Sequence, residues 1–127
     1  MLARTGASTE RPRSMREDIP PGTLDMLILR TLARGPAPLH GFEIAEAIGT
    51  TSRGVFVVEE GSLYPALQRM LVQGWIIGDW GRTADNRRAR YYRVTASGRR
   101  QLDRALRSYA RVSTAIAAIL DLSPSGA

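Results

Sequence analysis

Cysteine is absent from the 127 residues, and with it go disulfides, thiolate metal sites and thiol redox chemistry. Histidine occurs once, as His40, so multi-histidine metal centres are excluded and neither a metal nor a cofactor is expected. Lysine is missing as well, and all 18 basic residues are arginine. Without lysine the stretch from Gly49 to Gly54 is no Walker A phosphate loop. No apolar run approaches the about 20 residues that cross a bilayer, and residues 1–14 lack an apolar stretch followed by a small-residue cleavage site. A soluble, cytoplasmic protein without membrane contact is the expectation. Ser62 has no acid–base partner beyond that single histidine and no G-x-S-x-G context, so nothing supports an enzyme.

What is present fits one small domain, since 43% hydrophobic content supports a compact core but not a large one. The net charge is +6, and its location says more than its total. Ten arginines and two aspartates fall between Arg82 and Arg111, whereas the rest of the chain holds eight arginines and ten acidic residues. So lopsided a distribution points to an anionic partner, nucleic acid first and acidic membrane second, with a merely solvated basic face as the bland alternative.

Residues 1–18 are polar and read as a disordered arm, residues 19–95 as the folded domain, 96–122 as a C-terminal helix and 123–127 as a tail. Leu24, Leu27, Ile28 and Leu32 space a first helix over roughly 23–33, which Gly35, Pro36 and Pro38 cannot extend. A short second helix runs from His40 to Ile48. Val55 to Val58 forms a short strand or an extended packing segment. Pro65 places the start of a third helix near Gly61 or Ser62, so that proline falls in its first turn, and residues 60–62 supply its cap. Leu63, Leu67, Met70 and Leu71 make its buried face, Tyr64, Gln68 and Arg69 point largely outward, and Gly74 closes it. Trp75–Trp80 and Ala89–Val94 alternate as two strands joined through Asp85 and Asn86, an arginine-loaded hairpin. Trp75 and Trp80 would line an aromatic ligand pocket or, as is more usual for an indole in a short strand, join the core.

Thr95 caps a final helix reaching about Leu120, whose Leu102, Leu106, Tyr109, Val112, Ile116, Ile119 and Leu120 form one stripe. Its second half passes beyond the end of so small a core, so the stripe is expected to pack on another chain as a homodimer interface. The alternative is packing on the first helix of its own chain.

Three helices and then a hairpin is the order of a winged helix-turn-helix domain, mainly α with a small β-hairpin, in which the third helix reads the major groove and the arginine hairpin is the wing. The uncharged Tyr64 and Gln68 with Arg69 suit base edges; wing guanidiniums suit phosphates. A winged-helix interaction module that had lost DNA binding would not need so cationic a wing.

The stretches GTLDMLILRTLARGPAPLHGFEI, VEEGSLYPALQRMLVQGWI and NRRARYYRVTASGRRQL, in this order, resemble the PadR family of bacterial transcriptional regulators over Gly22 to about Leu106. The resemblance implies a homodimer that represses nearby genes from a palindromic operator and is released by a small molecule or other signal. Matched residue by residue, it implies DNA contacts at His40, at Ser62, Tyr64 and Pro65, and at Asn86, Arg87, Arg88 and Arg90. His40 is also placed to cap the second helix. Only one helix follows the wing, so dimerisation would use that helix with the first helix or the arm, and the lack of cysteine and of a second histidine leaves as effector an apolar or aromatic molecule at the dimer interface, or no ligand at all.

Overall fold

The computed structural model describes residues 16–20 and 22–122. The expected tail 123–127, and the arm through its first fifteen residues, lie outside the described residues. The last residues assigned to that arm are tied down, because the Glu17 amide donates to the Val55 carbonyl at 2.8 Å. The elements are α1 (Leu24–Ala33), β1 (Leu39–His40), α2 (Gly41–Thr51), α3 (Glu60–Gln73), β2 (Ile76–Arg82), β3 (Arg88–Val94) and α4 (Ala96–Ile119). This is the α+β winged helix-turn-helix arrangement that the order of periodic segments predicts.

The sheet has one strand more than expected. Leu39 and His40 pair antiparallel with Tyr92 and Tyr91, giving the order β1-β3-β2. Two residues carry too little alternation to read as a strand, and only the presence of β3 makes them one. Val55 to Val58 takes the extended reading and is no strand.

Ile28, Leu29 and Leu32 of α1, Ile44 and Ile48 of α2, and Leu63, Ala66, Leu67 and Met70 of α3 meet Ile76, Tyr92 and Leu102 in one core. Each large aliphatic side chain fully buried there contributes about 1.5–3 kcal/mol. Leu71 is only partly buried at its edge, and Ala66 takes the fully buried place beside Leu67. Burial pushes the Tyr92 phenol above its ordinary pKa.

α3 begins earlier than the sequence suggests. Glu59 is its N-cap, without a side-chain cap bond, and Pro65 lies inside the helix rather than in its first turn. The proline removes the amide that would bond the Gly61 carbonyl one turn back, and exposure of Gly61 leaves that carbonyl open to solvent, which lowers the cost. Gly74 ends the helix in the left-handed region at φ 77°, as expected of a C-terminal glycine.

At the start of α4 the Thr95 hydroxyl accepts from the Gly98 amide at 3.0 Å and donates to the Gly74 carbonyl at 2.7 Å, so one side chain caps this helix and locks it to the end of α3. The first turns of α4 lie on α1 and β3. Leu102, expected in the intermolecular stripe, is therefore buried in its own core, and the free stripe starts at Leu106. No helix among the described residues is long and apolar enough to cross a membrane.

Candidate nucleic-acid interface

The helical period divides α3 cleanly. Leu63, Ala66, Leu67 and Met70 are buried, while Ser62, Tyr64, Pro65, Gln68 and Arg69 are exposed on the other side. Arg69 also pairs with Asp25 of α1 at 2.9 Å, a surface bridge worth about 0–1 kcal/mol that holds its guanidinium beside the exposed face.

Tyr64 lies across the N-terminus of α2. A Cβ on buried Gly41 would stand 2.5 Å from the Tyr64 hydroxyl, so only glycine lets the phenol rest there. The atom in the way is the far end of a flexible side chain, so an added methyl is expected to move Tyr64 rather than unfold the domain. Gly41→Ala should change the thermal midpoint by only a few degrees yet cost about 1 kcal/mol, or about 5-fold, in operator affinity, matching Tyr64→Ala. Melting followed by circular dichroism and DNA binding by fluorescence anisotropy check both halves.

His40 is the N-cap of α2. Its Nδ1 accepts from the Glu43 amide at 3.4 Å, and Glu43 Oε1 accepts from the His40 amide at 3.1 Å, closing a capping box. The ring meets Tyr91 edge-on with centroids 5.2 Å apart. Its place in the fold is thus explained by capping and packing, and its side chain also borders the groove described next.

The wing tip is knit by its own bonds. The Thr83 amide donates to the Arg87 carbonyl at 2.8 Å, Asn86 takes the left-handed φ of 65°, and Thr83 Oγ1 accepts from the Arg87 amide at 3.0 Å while donating to the Asp85 carboxylate. That hydroxyl bond holds the Asp85 carboxyl below the usual carboxylate range, and Arg87 reinforces it, so Asp85 stays ionised and partly balances the tip. Arg88 and Arg90 are strand residues of β3 rather than loop residues, which fixes the direction in which they project.

Between the wing and the starts of α2 and α3 lies a groove of about 570 Å³, bordered by His40, Phe42, Tyr64, Trp80, the three arginines Arg87, Arg88 and Arg90, and one carboxylate, Glu60, among others. The tertiary structure brings the expected recognition residue Tyr64, the expected wing arginines and His40 to one concavity. Ser62, Pro65, Gln68 and Arg69, exposed on α3, do not border it, and Ser62 instead edges a separate groove with Ile19, Pro20 and Leu24. A second groove of about 740 Å³ lies beyond Phe42 and Tyr64; Glu60 edges it too, joined there by Glu46 and Glu59 with no arginine among the described lining residues, so its charge repels phosphate.

The two tryptophans part company. Trp75 packs against the core and is absent from the border of the arginine groove. Trp80, expected in the core or in a shared aromatic pocket, is 59% exposed with the Arg88 guanidinium 4.2 Å above its ring. The reason is the length of the core. Ile76, Gly78 and Trp80 share one face of β2, but the helices cover that face only as far as Ile76 and Tyr92. Sequence reasoning missed Trp80 as part of the basic groove, although hairpin register would have found it opposite Arg90.

Comparison with known proteins places this geometry. Residues 28–104 match the family model described as Transcriptional regulator PadR-like family. A protein of Lysinibacillus sphaericus is 30% identical over 102 residues, which is 80% of this chain and 92% of the other. A transcriptional regulator from Clostridium thermocellum superposes with a TM-score of 0.68 at 27% identity, covering 75% of this chain and 90% of that one. A PadR family transcription regulator from hypervirulent Clostridium difficile gives 0.65 at 26% identity, covering 78% and 99%. A PadR-like transcriptional regulator from Bacillus cereus gives 0.67 at 27%, covering 80% and 95%. The winged domain, its arginine groove and this match over most of the folded chain agree: the protein belongs to the PadR-like family of transcriptional regulators, which bind DNA and are not enzymes.

Proposed function

We propose that the protein is a homodimeric cytoplasmic repressor that binds a palindromic operator. Exposed side chains of α3 enter the major groove while Arg87, Arg88 and Arg90 of the wing hold the backbone or the minor groove. One observation carries this reading: uncharged Tyr64 on the recognition helix and three wing arginines border the same groove. In a dimer with its two α3 helices about 34 Å apart, both meet successive major grooves on one side of the duplex. The apolar side chains of α4 from Leu106 onward supply the second copy's docking face. An apolar or aromatic effector bound where the two chains meet would change the spacing of the two helices and release the operator.

Affinity and readout then separate by charge. A phosphate contact works through counterion release, so Arg88→Ala should weaken all duplexes alike and reduce the slope of log affinity against log salt by about one per contact, or about two in the dimer. Tyr64→Ala should leave the slope nearly unchanged while costing about 1–3 kcal/mol on the operator alone. Titrations of both variants against operator and scrambled duplex at several salt concentrations decide it. The opposite pattern, with Tyr64→Ala weakening both duplexes equally and Arg88→Ala sparing the scrambled one, would reverse the two roles.

A further inference from the structure

The wing carries a side chain that phosphate binding by itself does not require. Trp80 lies on β2 directly across from Arg90, and Arg88, two residues along the same face of β3, reaches diagonally back over the indole. The Arg88 guanidinium carbon sits 4.2 Å from the ring centroid and that of Arg90 5.9 Å from it. Arg90 is held from below as well. It lies against the bare backbone of Gly78, where a Cβ would stand 2.7 Å from its Nε, and that buried Nε has no hydrogen-bond partner among the described residues.

We infer that Trp80 is a positioning residue for DNA binding: its indole gathers the Arg88 and Arg90 guanidiniums at the edge of the groove and holds them ready for phosphate oxygens. The inference rests on the DNA-binding role proposed above. Arg88 and Arg90 place two like charges beside one ring, and Asp85, which pairs with Arg87 at 3.4 Å, does not hold them there. The negative face of the indole does, since arginine over tryptophan is attracted by the ring quadrupole. A long arginine side chain loses considerable rotamer freedom when fixed, and a guanidinium already resting on a ring has lost part of it before DNA arrives. The ring itself adds no charge, so its contribution is to the affinity of each arginine contact and not to the number of counterions released.

A double-mutant cycle on the full-length protein tests this with scrambled duplex as the probe. Trp80→Leu, which keeps apolar bulk without the quadrupole, is expected to weaken binding by about 2- to 5-fold per wing, or about 4- to 25-fold in a dimer, with the salt slope unchanged. Trp80→Phe should recover most of that loss. In an Arg88→Ala background the cost of Trp80→Leu should shrink to about 1.5-fold, the remainder belonging to Arg90. An equal cost in both backgrounds would overturn the inference, because Trp80 would then touch DNA itself or merely support the wing. No cost in the parent protein would overturn it too. A second readout needs no DNA: with Trp75→Phe leaving Trp80 as the sole tryptophan, Arg88→Ala should change its emission. Unchanged emission would remove the stacking contact on which the inference stands. A protein with that emission change but without salt-dependent duplex binding would instead refute the DNA-binding role and, with it, the purpose assigned to Trp80.

Discussion

Ile116→Arg is expected to convert the protein from dimer to monomer and to weaken operator binding by at least about 100-fold. α4 runs 24 residues, or about 36 Å, and only its first turns rest on its own domain. From Leu106 onward Tyr109, Val112, Ile116, Ile119 and Leu120 are all exposed, with Tyr109 57% and Ile119 83% accessible. A stripe of that length along one helix is larger than scattered surface apolar residues explain, and it marks a contact surface. In a two-fold dimer the same patch meets itself, so one substitution places two arginines in an apolar seam, each without a partner. Two linked reading heads bind about 10²- to 10⁴-fold more tightly than one, which sets the size of the loss. Because Ile116 is half exposed in the single chain, its circular dichroism spectrum should not change. Light scattering at micromolar concentration checks the mass and anisotropy the affinity. A monomeric parent protein, or a variant that remains dimeric, would overturn the assignment of α4.

Gly98→Ala is expected to lower the thermal midpoint by about 10 °C or more. Gly98 is buried where α4 leaves the sheet, and a Cβ there would stand 2.0 Å from the Trp75 carbonyl oxygen and 2.8 Å from a methyl of Val94. The first obstacle is backbone, so it cannot swing aside. That carbonyl also accepts the Thr95 amide at 2.9 Å, and any shift that admits the methyl pulls apart the bond that seats the cap of α4. Overpacking of this kind costs about 1–3 kcal/mol, and each kcal/mol moves the midpoint of so small a domain by about 4–8 °C. Gly35→Ala is the control. Nothing lies within 4 Å of a Cβ at Gly35, so its midpoint should stay within a few degrees. Equal melting of the two variants would show that the close approach at Gly98 does not constrain the fold.

Much of this architecture is legible in local patterns. Leu24, Leu27, Ile28 and Leu32 repeat at helical spacing and form α1 within a residue of the predicted bounds. Thr95 has the side chain that an N-cap needs, and it caps α4. The position of Gly74 just past an apolar repeat announces the left-handed stop that ends α3. The exposed side of α3, with Tyr64, Gln68 and Arg69, follows from the same period once Leu63 and Leu67 are known to be inside. In each case the deciding interactions lie within one turn of helix, which is the range over which a sequence pattern carries information.

Other features depend on residues far apart in the chain. Leu39 and His40 become a strand only because β3, some fifty residues later, offers them a partner. Trp80 satisfies the alternation of a core residue, yet it lies past the last helix that covers that face, and the nearest covering groups are arginines. Leu102 and Leu106 occupy the same stripe of α4, but one is inside its own domain and the other outside, because α1 and β3 reach only that far. The sequence by itself therefore determined the four helices and the wing hairpin, the N-cap of α4, the glycine stop of α3 and the concentration of arginine in the wing and α4. Only the tertiary structure decided where the core stops, which fixed Trp80 under Arg88 and divided α4 into a first part packed on its own domain and an exposed apolar stripe. Periodicity reports which side of an element is apolar, whereas how far along that side the cover extends is set by the lengths and crossing points of other elements.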